Sequence, residues 1–414
     1  MDRKVFIEVM GCNRRRLELE RIKNYFLVNG YTLVKDPAKA EVILVGTCAF
    51  KEKEETESVA RLRRLSQYKA RTVVYGCLPA ISPARYDEFR GIEYITPKDL
   101  DRFDLIFNHA SVKLTDIEDT NVLNSVKSYN LYHSIKQKLL SKEMLLPEFH
   151  KKAVMTGLKS IQRRFAKEAT HYYLYVARGC LGKCSYCAIR RSIGSVRSKP
   201  VETVLRELRA GLAGSYRDFV ILGDDPGCYG LDQGQSFPEL MSALYETADS
   251  LHNGQGQNGN GHVRFHIWEI HPKYLILYAQ QLKPILSSQS LKSILCPVQT
   301  MNDRLLQSMQ REHTAREISE VVMATKRNNA GLELHTQIMV GFPGETEDEY
   351  KETLDEVSRL GFNSVVVFKY HDKEGTAASR LERKISDPIK EYRLKHAVTF
   401  LKHKGIRAYT SCPD

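Results

Sequence analysis

Three cysteine side chains stand close together in one short segment and offer ligands for a metal centre. Cys180, Cys184 and Cys187 follow an apolar run at 172–176 and have the spacing C-x3-C-x2-C. Soft thiolates suit zinc or iron-sulfur clusters. Structural zinc normally takes four protein ligands, whereas this triplet has no fourth Cys or His nearby. The spacing therefore favours a cluster that keeps one iron open over a structural zinc site.

An aromatic residue, Tyr186, stands immediately before the last cysteine of the triplet. With it, the segment resembles the signature of the radical S-adenosylmethionine (SAM) superfamily. The resemblance implies a 4Fe-4S cluster on the three cysteines, whose open iron binds the amino and carboxylate groups of SAM. One electron passed to the sulfonium then yields a 5′-deoxyadenosyl radical that abstracts hydrogen, while the protein supplies orientation and excludes water.

Further segments are similar, in the same order, to the methylthiotransferases, a radical SAM family that inserts sulfur into unactivated C–H bonds. One of them, Gly-Phe-Pro-Gly-Glu-Thr, would alone be a simple turn about as often as a functional loop. The resemblance is carried by the ordered set: 194–202, 221–224 with 229–230, 297–300 with 305–309, 340–346, and 368–370 with 374–376.

Three more cysteines, Cys12, Cys48 and Cys77, each follow a short apolar run near the start of the chain. If these runs are parallel strands of one sheet, the thiols meet at its carboxyl edge, where open α/β sheets bind ligands. A single such cysteine is more often a buried packing residue, but three equivalent positions favour a shared site. The methylthiotransferases carry a matching three-cysteine domain, which implies a second 4Fe-4S cluster. By that analogy the second cluster holds or donates the sulfur, which one SAM methylates while another generates the radical.

Candidate residues for cofactor binding surround the predicted mouth of the second domain. The superfamily pattern implies that Gly223 and Asp224 approach the methionyl end of SAM, and Glu269 is a candidate to bond the ribose. Each polar candidate could equally satisfy a loop. The full set comprises Tyr186, Arg197, Gly223, Asp224, Glu269 and Gln299.

The other cysteines, Cys228, Cys296 and Cys412, are interpreted as structural. Cys228 lies on a loop at the expected active-site face, so contact with the substrate is a second, less favoured interpretation for it. Trp268, the only tryptophan, is more often core than contact at a barrel strand.

The elements that would position these residues alternate between strands and helices at both ends of the chain. In the first part, apolar runs and helical periodicity predict a doubly wound parallel-sheet α/β domain over residues 1–107. Its predicted strands are 5–9, 42–45 and 72–75, and its predicted helices are 17–27 and 58–68.

Later in the chain, repeated strand-helix units predict a partial (β/α) TIM-like barrel over 171–414, closed by a C-terminal helix, with its site at the carboxyl ends of the strands. Between the domains, residues 108–170 are predicted to form a basic helical connector or a substrate-binding surface. Residues 252–261 are predicted to be a flexible loop. The predicted barrel strands are 172–176, 218–222, 262–267, 293–295, 333–340 and 364–368.

The composition limits which classes of protein this chain can belong to. Of the 414 residues, 42% are hydrophobic, yet no apolar run approaches the roughly 20 residues that cross a bilayer. An odd number of cysteines, nine in total, does not indicate a disulfide framework. We therefore expect a soluble cytoplasmic protein. A net charge of +12 suits an anionic partner such as RNA, but solvated surface charge gives the same total.

The substrate class is left open by the sequence. Transfer RNA methylthiotransferases usually end in a small TRAM RNA-binding barrel, and this chain is expected to lack it. Our first hypothesis is therefore sulfur or methylthio insertion into a peptide, a protein or a small molecule. The second hypothesis keeps tRNA as the substrate, bound through the basic segment 127–167 and the run Arg14-Arg15-Arg16.

Two further hypotheses change the role of the clusters. In one, the N-terminal cluster is an electron relay in a radical SAM enzyme that transfers no sulfur. In the other, the chain is a noncatalytic cluster or zinc protein that binds RNA or a partner. For the enzyme readings, the resemblance also implies a low-potential electron donor such as flavodoxin or ferredoxin, and no membrane partner.

Overall fold

The computed structural model describes residues 3–123, 171–253 and 262–411 of the chain. Most of the predicted basic segment, most of the predicted glycine-rich loop and Cys412 lie outside the described residues. The described chain forms two parallel sheets, each flanked by helices.

The N-terminal sheet has five strands in the order β2-β1-β3-β4-β5, and each neighbouring pair is parallel. This order is the doubly wound arrangement in which ligands bind beyond the carboxyl ends of the strands. Two strands of three residues, β2 and β5, were not predicted because their apolar runs are too short to show a period. The strands are β1 (Arg3–Glu8), β2 (Tyr31–Leu33), β3 (Val42–Thr47), β4 (Arg71–Gly76) and β5 (Glu93–Ile95).

Alternation along β3 distributes its side chains between two hydrophobic layers. Val42 and Leu44 pack with the layer formed by the first helix, whereas Ile43 and Val45 pack with the layer of the second helix. Successive side chains of a strand point to opposite faces, so an unbroken apolar run is what a sheet covered on both sides requires. The predicted doubly wound domain is thus confirmed.

The second sheet has eight strands in the order β13-β12-β11-β10-β9-β8-β6-β7, parallel except for the β6–β7 pair. Strands β7 and β13 stand at its two edges, so the sheet is a partial barrel, as predicted. The edge strands were missed because they are only two and three residues long. The strands are β6 (Tyr172–Arg178), β7 (Arg197–Ser198), β8 (Asp218–Gly223), β9 (Arg264–Ile267), β10 (Leu291–Leu295), β11 (Glu333–Val340), β12 (Ser364–Lys369) and β13 (Arg407–Tyr409).

The helices cover both sheets, and the predicted N-terminal helices are longer than their apolar periodicity indicated. The first begins at Asn13, directly after Cys12, and the second begins at Glu52, where three acidic residues in its first turn favour a helix start. The helices are α1 (Asn13–Val28), α2 (Glu52–Leu65), α3 (Leu78–Ile81), α4 (Pro83–Tyr86), α5 (Arg102–Ile106), α6 (Arg190–Ile193), α7 (Val201–Ala213), α8 (Phe237–Asn253), α9 (Pro272–Leu277), α10 (Lys283–Leu286), α11 (Asp303–Ser308), α12 (Ala315–Asn328), α13 (Glu347–Leu360) and α14 (Asp387–His403).

None of the helices among the described residues is long and apolar enough to cross a membrane. The predicted domain limits at 107 and 170 stay predictions, although the two sheets fall on either side of them.

Removing one ring from the aromatic layer beneath α1 should destabilise the N-terminal sheet. Phe26 is fully buried and makes edge-to-face contacts with Tyr31 at 5.0 Å and Phe107 at 5.0 Å between ring centroids. We expect Phe26→Ala to lower the free energy of unfolding by about 3–5 kcal/mol, measured by urea titration of circular dichroism. Val28→Ala, on the exposed face of the same helix, should change it by less than about 0.5 kcal/mol.

Candidate functional site

The first cysteine triad lies in the loop that leaves β6 at the carboxyl edge of the second sheet. Gly179 opens this loop with φ +84°, and a Cβ at that position would lie 2.0 Å from Ser195 O, so only glycine fits. Cys180 follows, and the backbone N–H of Gly182 donates to Cys180 Sγ at 3.1 Å. Burial raises the pKa of Cys180 to about 12. The free thiol is therefore neutral near pH 7, and a bound metal would displace its proton.

Hydrogen bonds attach the loop of the first triad to the end of helix α11. The backbone N–H of Ser185 donates to Met309 O at 3.0 Å, and its hydroxyl donates to Ser308 O at 2.8 Å. Arg311 Nη1 lies 3.3 Å from Tyr186 Oη and 3.7 Å from Cys184 Sγ. The predicted cofactor residue Tyr186 therefore stands beside the thiols, and its hydroxyl accepts a hydrogen bond from Arg311.

The second triad follows three adjacent strands of the N-terminal sheet, as predicted. Cys12, Cys48 and Cys77 come directly or within a few residues after β1, β3 and β4. Burial, together with the charges of Cys12 and Cys77, raises the pKa of Cys48 to about 12. Because β1, β3 and β4 are hydrogen-bonded neighbours, the loops that hold the three cysteines leave the same edge of the sheet side by side.

Local backbone geometry sets the position of two thiols in the second triad. Gly76 has φ +135°, and a Cβ there would lie 2.2 Å from Thr47 O, so the chain reaches Cys77 through a turn that excludes side chains. The backbone N–H of Cys48 donates to Ser58 Oγ at 2.9 Å, which anchors this loop to α2. Within the described ranges, no three His, Cys, Asp or Glu side chains are placed so that they could all bind one metal ion. The fit of each triad to a cluster therefore rests on its thiols and their hydrogen bonds.

The two triads lie in segments that pack against each other. Cys77, Leu78 and Ile81 share one hydrophobic cluster with Ala188, the residue after Cys187. Cys77 therefore lies within this cluster, and Cys187 directly precedes one of its residues. This contact brings the carboxyl edge of the N-terminal sheet to the carboxyl edge of the barrel.

Arginines at the start of α1 form a polar link between the two sheets. Cys12 is the N-cap residue of α1, so Arg14 and Arg15 occupy its first turn. Arg14 Nη1 donates to Gly223 O at 2.9 Å, and Arg14 also forms ion pairs with Asp224 and Glu269. The Cys12 loop is thereby attached to three residues predicted to bind SAM.

Arg15 completes this link in the interior. Its Nη2 lies 3.2 Å from Asp224 Oδ1, and its Nη1 lies 2.7 Å from Glu18 Oε2. Tyr175 donates its hydroxyl to Asp224 Oδ2 at 3.2 Å, and the backbone N–H of Gly179 donates to the same oxygen at 2.8 Å. Asp224 is therefore fully engaged by the protein.

A second set of charges extends the contact away from the thiols. Arg178 donates to Glu18 Oε1 and Asp119 Oδ1, each at 3.0 Å. Asp119 also pairs with Arg21 and Lys199 at 3.0 Å. Burial alone would raise the pKa of Asp119, but the cations beside it hold that pKa well below its usual range.

The structure does not bring all six predicted cofactor residues together. Gly223, Asp224 and Glu269 lie at the contact of the two sheets, and Tyr186 lies beside Arg311 within the second domain. Arg197 is exposed on the edge strand β7, where its Nη2 donates to Lys98 O at 2.8 Å. Gln299 is buried with φ +69°, and its Oε1 has no hydrogen-bond partner among the described residues.

Asp225 was not among the predicted residues, yet one oxygen of its carboxylate accepts no hydrogen bond from the described residues. Its Oδ1 accepts from the backbone N–H groups of Gly227 and His271, each at 3.2 Å. Its Oδ2 is buried and has no partner in the described part of the chain. Burial raises the pKa of Asp225 to about 6. Its place directly after Asp224 at a strand end was the available signal.

Two histidines near Asp225 were also missed because no motif marks them. The rings of His271 and His313 lie 5.7 Å apart between centroids. Burial lowers the pKa of both rings, that of His313 to about 3, so both are neutral near pH 7. Cys228 and Cys296 are buried, and Cys228 Sγ donates to Asp225 O at 2.9 Å.

Comparison with known proteins agrees with this arrangement. Residues 174–357 match the Radical SAM superfamily, and residues 4–94 match Uncharacterized protein family UPF0004. A probable threonylcarbamoyladenosine tRNA methylthiotransferase from Pyrococcus horikoshii is 26% identical over 95% of this chain and 83% of its own length. The ribosomal protein uS12 methylthiotransferase RimO of Clostridium botulinum is 29% identical over 94% of this chain and 80% of its own length.

The chain combines a UPF0004 domain with a radical SAM domain and is homologous over about 95% of its length to tRNA and ribosomal-protein methylthiotransferases. It is therefore a transferase that uses SAM and two 4Fe-4S clusters. Among solved structures, the radical SAM methyltransferase TsrM from Kitasatospora setae has a TM-score of 0.59 at 13% identity, covering 92% of this chain and 77% of TsrM. The cobalamin-dependent radical enzyme OxsB has a TM-score of 0.55 at 12% identity, covering 97% of this chain and 56% of OxsB. These two structures share the fold.

Removing Arg15 should show how much stability the link between the sheets provides. The side chain is 3% exposed and pairs with Asp224 and Glu18, which would both be left buried and without this partner. We expect Arg15→Ala to lower the free energy of unfolding by about 3–5 kcal/mol in urea titration. Arg16→Ala is the matched control, since the hydrogen bond of Arg16 is a long one, 3.5 Å, to Asn13 of its own helix. It should cost no more than about 1 kcal/mol.

Proposed function

We propose that this methylthiotransferase inserts a methylthio group into a C–H bond of a peptide, a protein or a small molecule. Cys180, Cys184 and Cys187 hold the SAM-binding cluster, and the second triad holds the other cluster. One observation carries the proposal: Cys77 and Ala188 belong to one hydrophobic cluster, which brings the segments of the two triads together. A substrate bound there can reach both.

The polar atoms beside the first triad suit the methionyl end of SAM. Asp225 Oδ2 is buried without a partner and close enough to Cys180 for their charges to interact. It is the better acceptor for an ammonium group than Asp224, whose oxygens already receive four protein groups. Gln299 Oε1 is a second acceptor. Asp224 then acts on this site by fixing the Cys12 loop through Arg14 and Arg15.

The cofactors supply the radical that removes hydrogen from the substrate and the sulfur that replaces it. The chain's own residues orient these groups and exclude water. The buried link from Arg15 to Asp224 closes the contact between the sheets on the side of α1. A low-potential protein such as flavodoxin or ferredoxin would deliver the electron.

The ion pairs that Arg14 and Arg15 form within the protein favour a substrate other than RNA. Arg14 and Arg15 were candidates for phosphate contacts in the tRNA hypothesis, but both are committed to buried carboxylates. Breaking such pairs to reach a phosphate would leave the buried carboxylate of Asp224 without these two partners. These two arginines are therefore structural rather than RNA-binding.

Transfer RNA is the second candidate substrate, favoured by the relatives themselves. The Pyrococcus horikoshii protein, named as a tRNA methylthiotransferase, matches 95% of the chain. The predicted basic segment that would bind RNA lies largely outside the described residues. The choice between the two candidates is therefore made by experiment.

Metal analysis after anaerobic reconstitution tests the cluster assignment. We expect about eight irons per wild-type chain and about four in Cys180→Ala/Cys184→Ala/Cys187→Ala and in Cys12→Ala/Cys48→Ala/Cys77→Ala. Reductive SAM cleavage, followed as 5′-deoxyadenosine, should be lost only in the first triple variant. Cys296→Ala, which alters a buried cysteine outside both triads, is the control and should keep about eight. Zinc in place of iron, with no SAM cleavage, would contradict the proposal.

Salt dependence of tRNA binding separates the two substrate candidates. An enzyme that binds tRNA through six to ten phosphate contacts should lose affinity by a factor of about 10³–10⁵ between 50 and 200 mM salt. We expect only weak tRNA binding, and no increase in SAM cleavage when tRNA is added. Tight, steeply salt-dependent binding that stimulates cleavage would establish tRNA instead. A sulfur-free product formed with 5′-deoxyadenosine would favour the relay role of the second cluster.

A further inference from the structure

Cys184 has a different environment from the other two thiols of its triad. Cys180 Sγ accepts a hydrogen bond from the backbone N–H of Gly182 at 3.1 Å. The backbone N–H groups of Ile189 and Arg190 donate hydrogen bonds to Cys187. The hydrogen bonds at Cys184 Sγ come instead from side chains. Arg311 Nη1 is 3.7 Å away and His271 Nε2 is 3.9 Å away.

The hydrogen bonds of His271 determine which ring nitrogen carries the proton. Its Nδ1 accepts the backbone N–H of Lys273 at 3.2 Å, at the start of α9. An accepting nitrogen carries no proton, so the ring proton is on Nε2, the atom that faces Cys184. The backbone N–H of His271 in turn donates to Asp225 Oδ1 at 3.2 Å. The ring is thus held with a donor aimed at the thiol.

Arg311 adds a permanent positive charge at the same sulfur. The residue is 5% exposed, and a guanidinium keeps its proton in proteins. Its other terminal nitrogen donates to Pro297 O, and Nη1 also reaches Tyr186 Oη at 3.3 Å. These bonds fix the guanidinium, so the charge cannot swing away from Cys184.

We infer that His271 and Arg311 are positioning residues that donate hydrogen bonds to Cys184 Sγ and raise the reduction potential of the cluster bound there. Reduction adds one electron and no proton, which makes the sulfurs more negative. N–H donors and a nearby cation stabilise that reduced form more than the oxidised form. The inference rests on the proposed role of Cys184 as a cluster ligand.

His271→Asn separates this role from the helix cap that His271 also provides. Asparagine is a good N-cap residue, so α9 should keep its start, but its side chain is too short to reach Cys184. The full-length Cys12→Ala/Cys48→Ala/Cys77→Ala chain serves as the background, so that the signal comes from one cluster. Its midpoint potential is measured by electron paramagnetic resonance during titration with dithionite.

We expect His271→Asn to lower the midpoint potential while iron content and unfolding stay unchanged. Loss of one such hydrogen bond should change the reduction equilibrium about threefold to tenfold, which is about 30–60 mV for one electron. Arg311→Gln should shift the potential in the same direction. An unchanged midpoint in both variants would overturn the inference.

His313→Phe is the matched control within the same pocket. Its ring stands beside that of His271, but neither of its nitrogens has a hydrogen-bond partner among the described residues. We expect its midpoint to equal that of the background chain, and a shift as large as that of His271→Asn would count against a specific bond to Cys184. Failure of the unmodified chain to assemble any cluster would overturn the proposed function itself, and this inference with it.

Discussion

The buried ion pair between Arg15 and Asp224 is the contact on which the relation of the two sheets depends. Each charge loses its hydration at the interface, and this loss is offset only because each has several fixed partners. Asp224 accepts from Tyr175 and the backbone of Gly179, while Arg15 also binds Glu18. Gly179 immediately precedes Cys180, and Arg15 lies three residues after Cys12. One carboxylate therefore positions the first cysteine of both triads.

This arrangement explains why the thiols are placed by backbone and charge rather than by apolar packing. The apolar layers set the strands, but the loops beyond the strand ends contain the cysteines. Gly76 and Gly179 let these loops turn where a side chain would collide with backbone. The ion pairs of α1 then hold the two loop regions together. A sliding motion between the sheets would break several buried pairs at once, so the distance between the triads is well defined.

Much of this could be predicted from the sequence, and the remainder depended on distant partners. Unbroken apolar runs such as Val42–Thr47 marked the buried strands, and the three strand-end cysteines marked one edge of a parallel sheet. Strands as short as β2 and β13 show no period and were missed. The run Arg14-Arg15-Arg16 read equally well as an RNA-binding patch, because a sequence does not show that Asp224, some 200 residues later, is its partner. Glu269 was expected to bond ribose, and its pairing with Arg14 was invisible for the same reason.

The polar groups of the site divide by whether their bonds are complete. At the α1 contact, the carboxylates of Glu18 and Asp224 are bonded by protein groups, as buried charges must be for stability. Near the first triad, by contrast, Asp225 Oδ2 is buried without a partner in the described chain. Unpaired buried polar atoms destabilise a fold and are kept where a ligand completes them. The first region therefore maintains the geometry, and the second, beside the more exposed thiols, is where we propose that the cofactors bind.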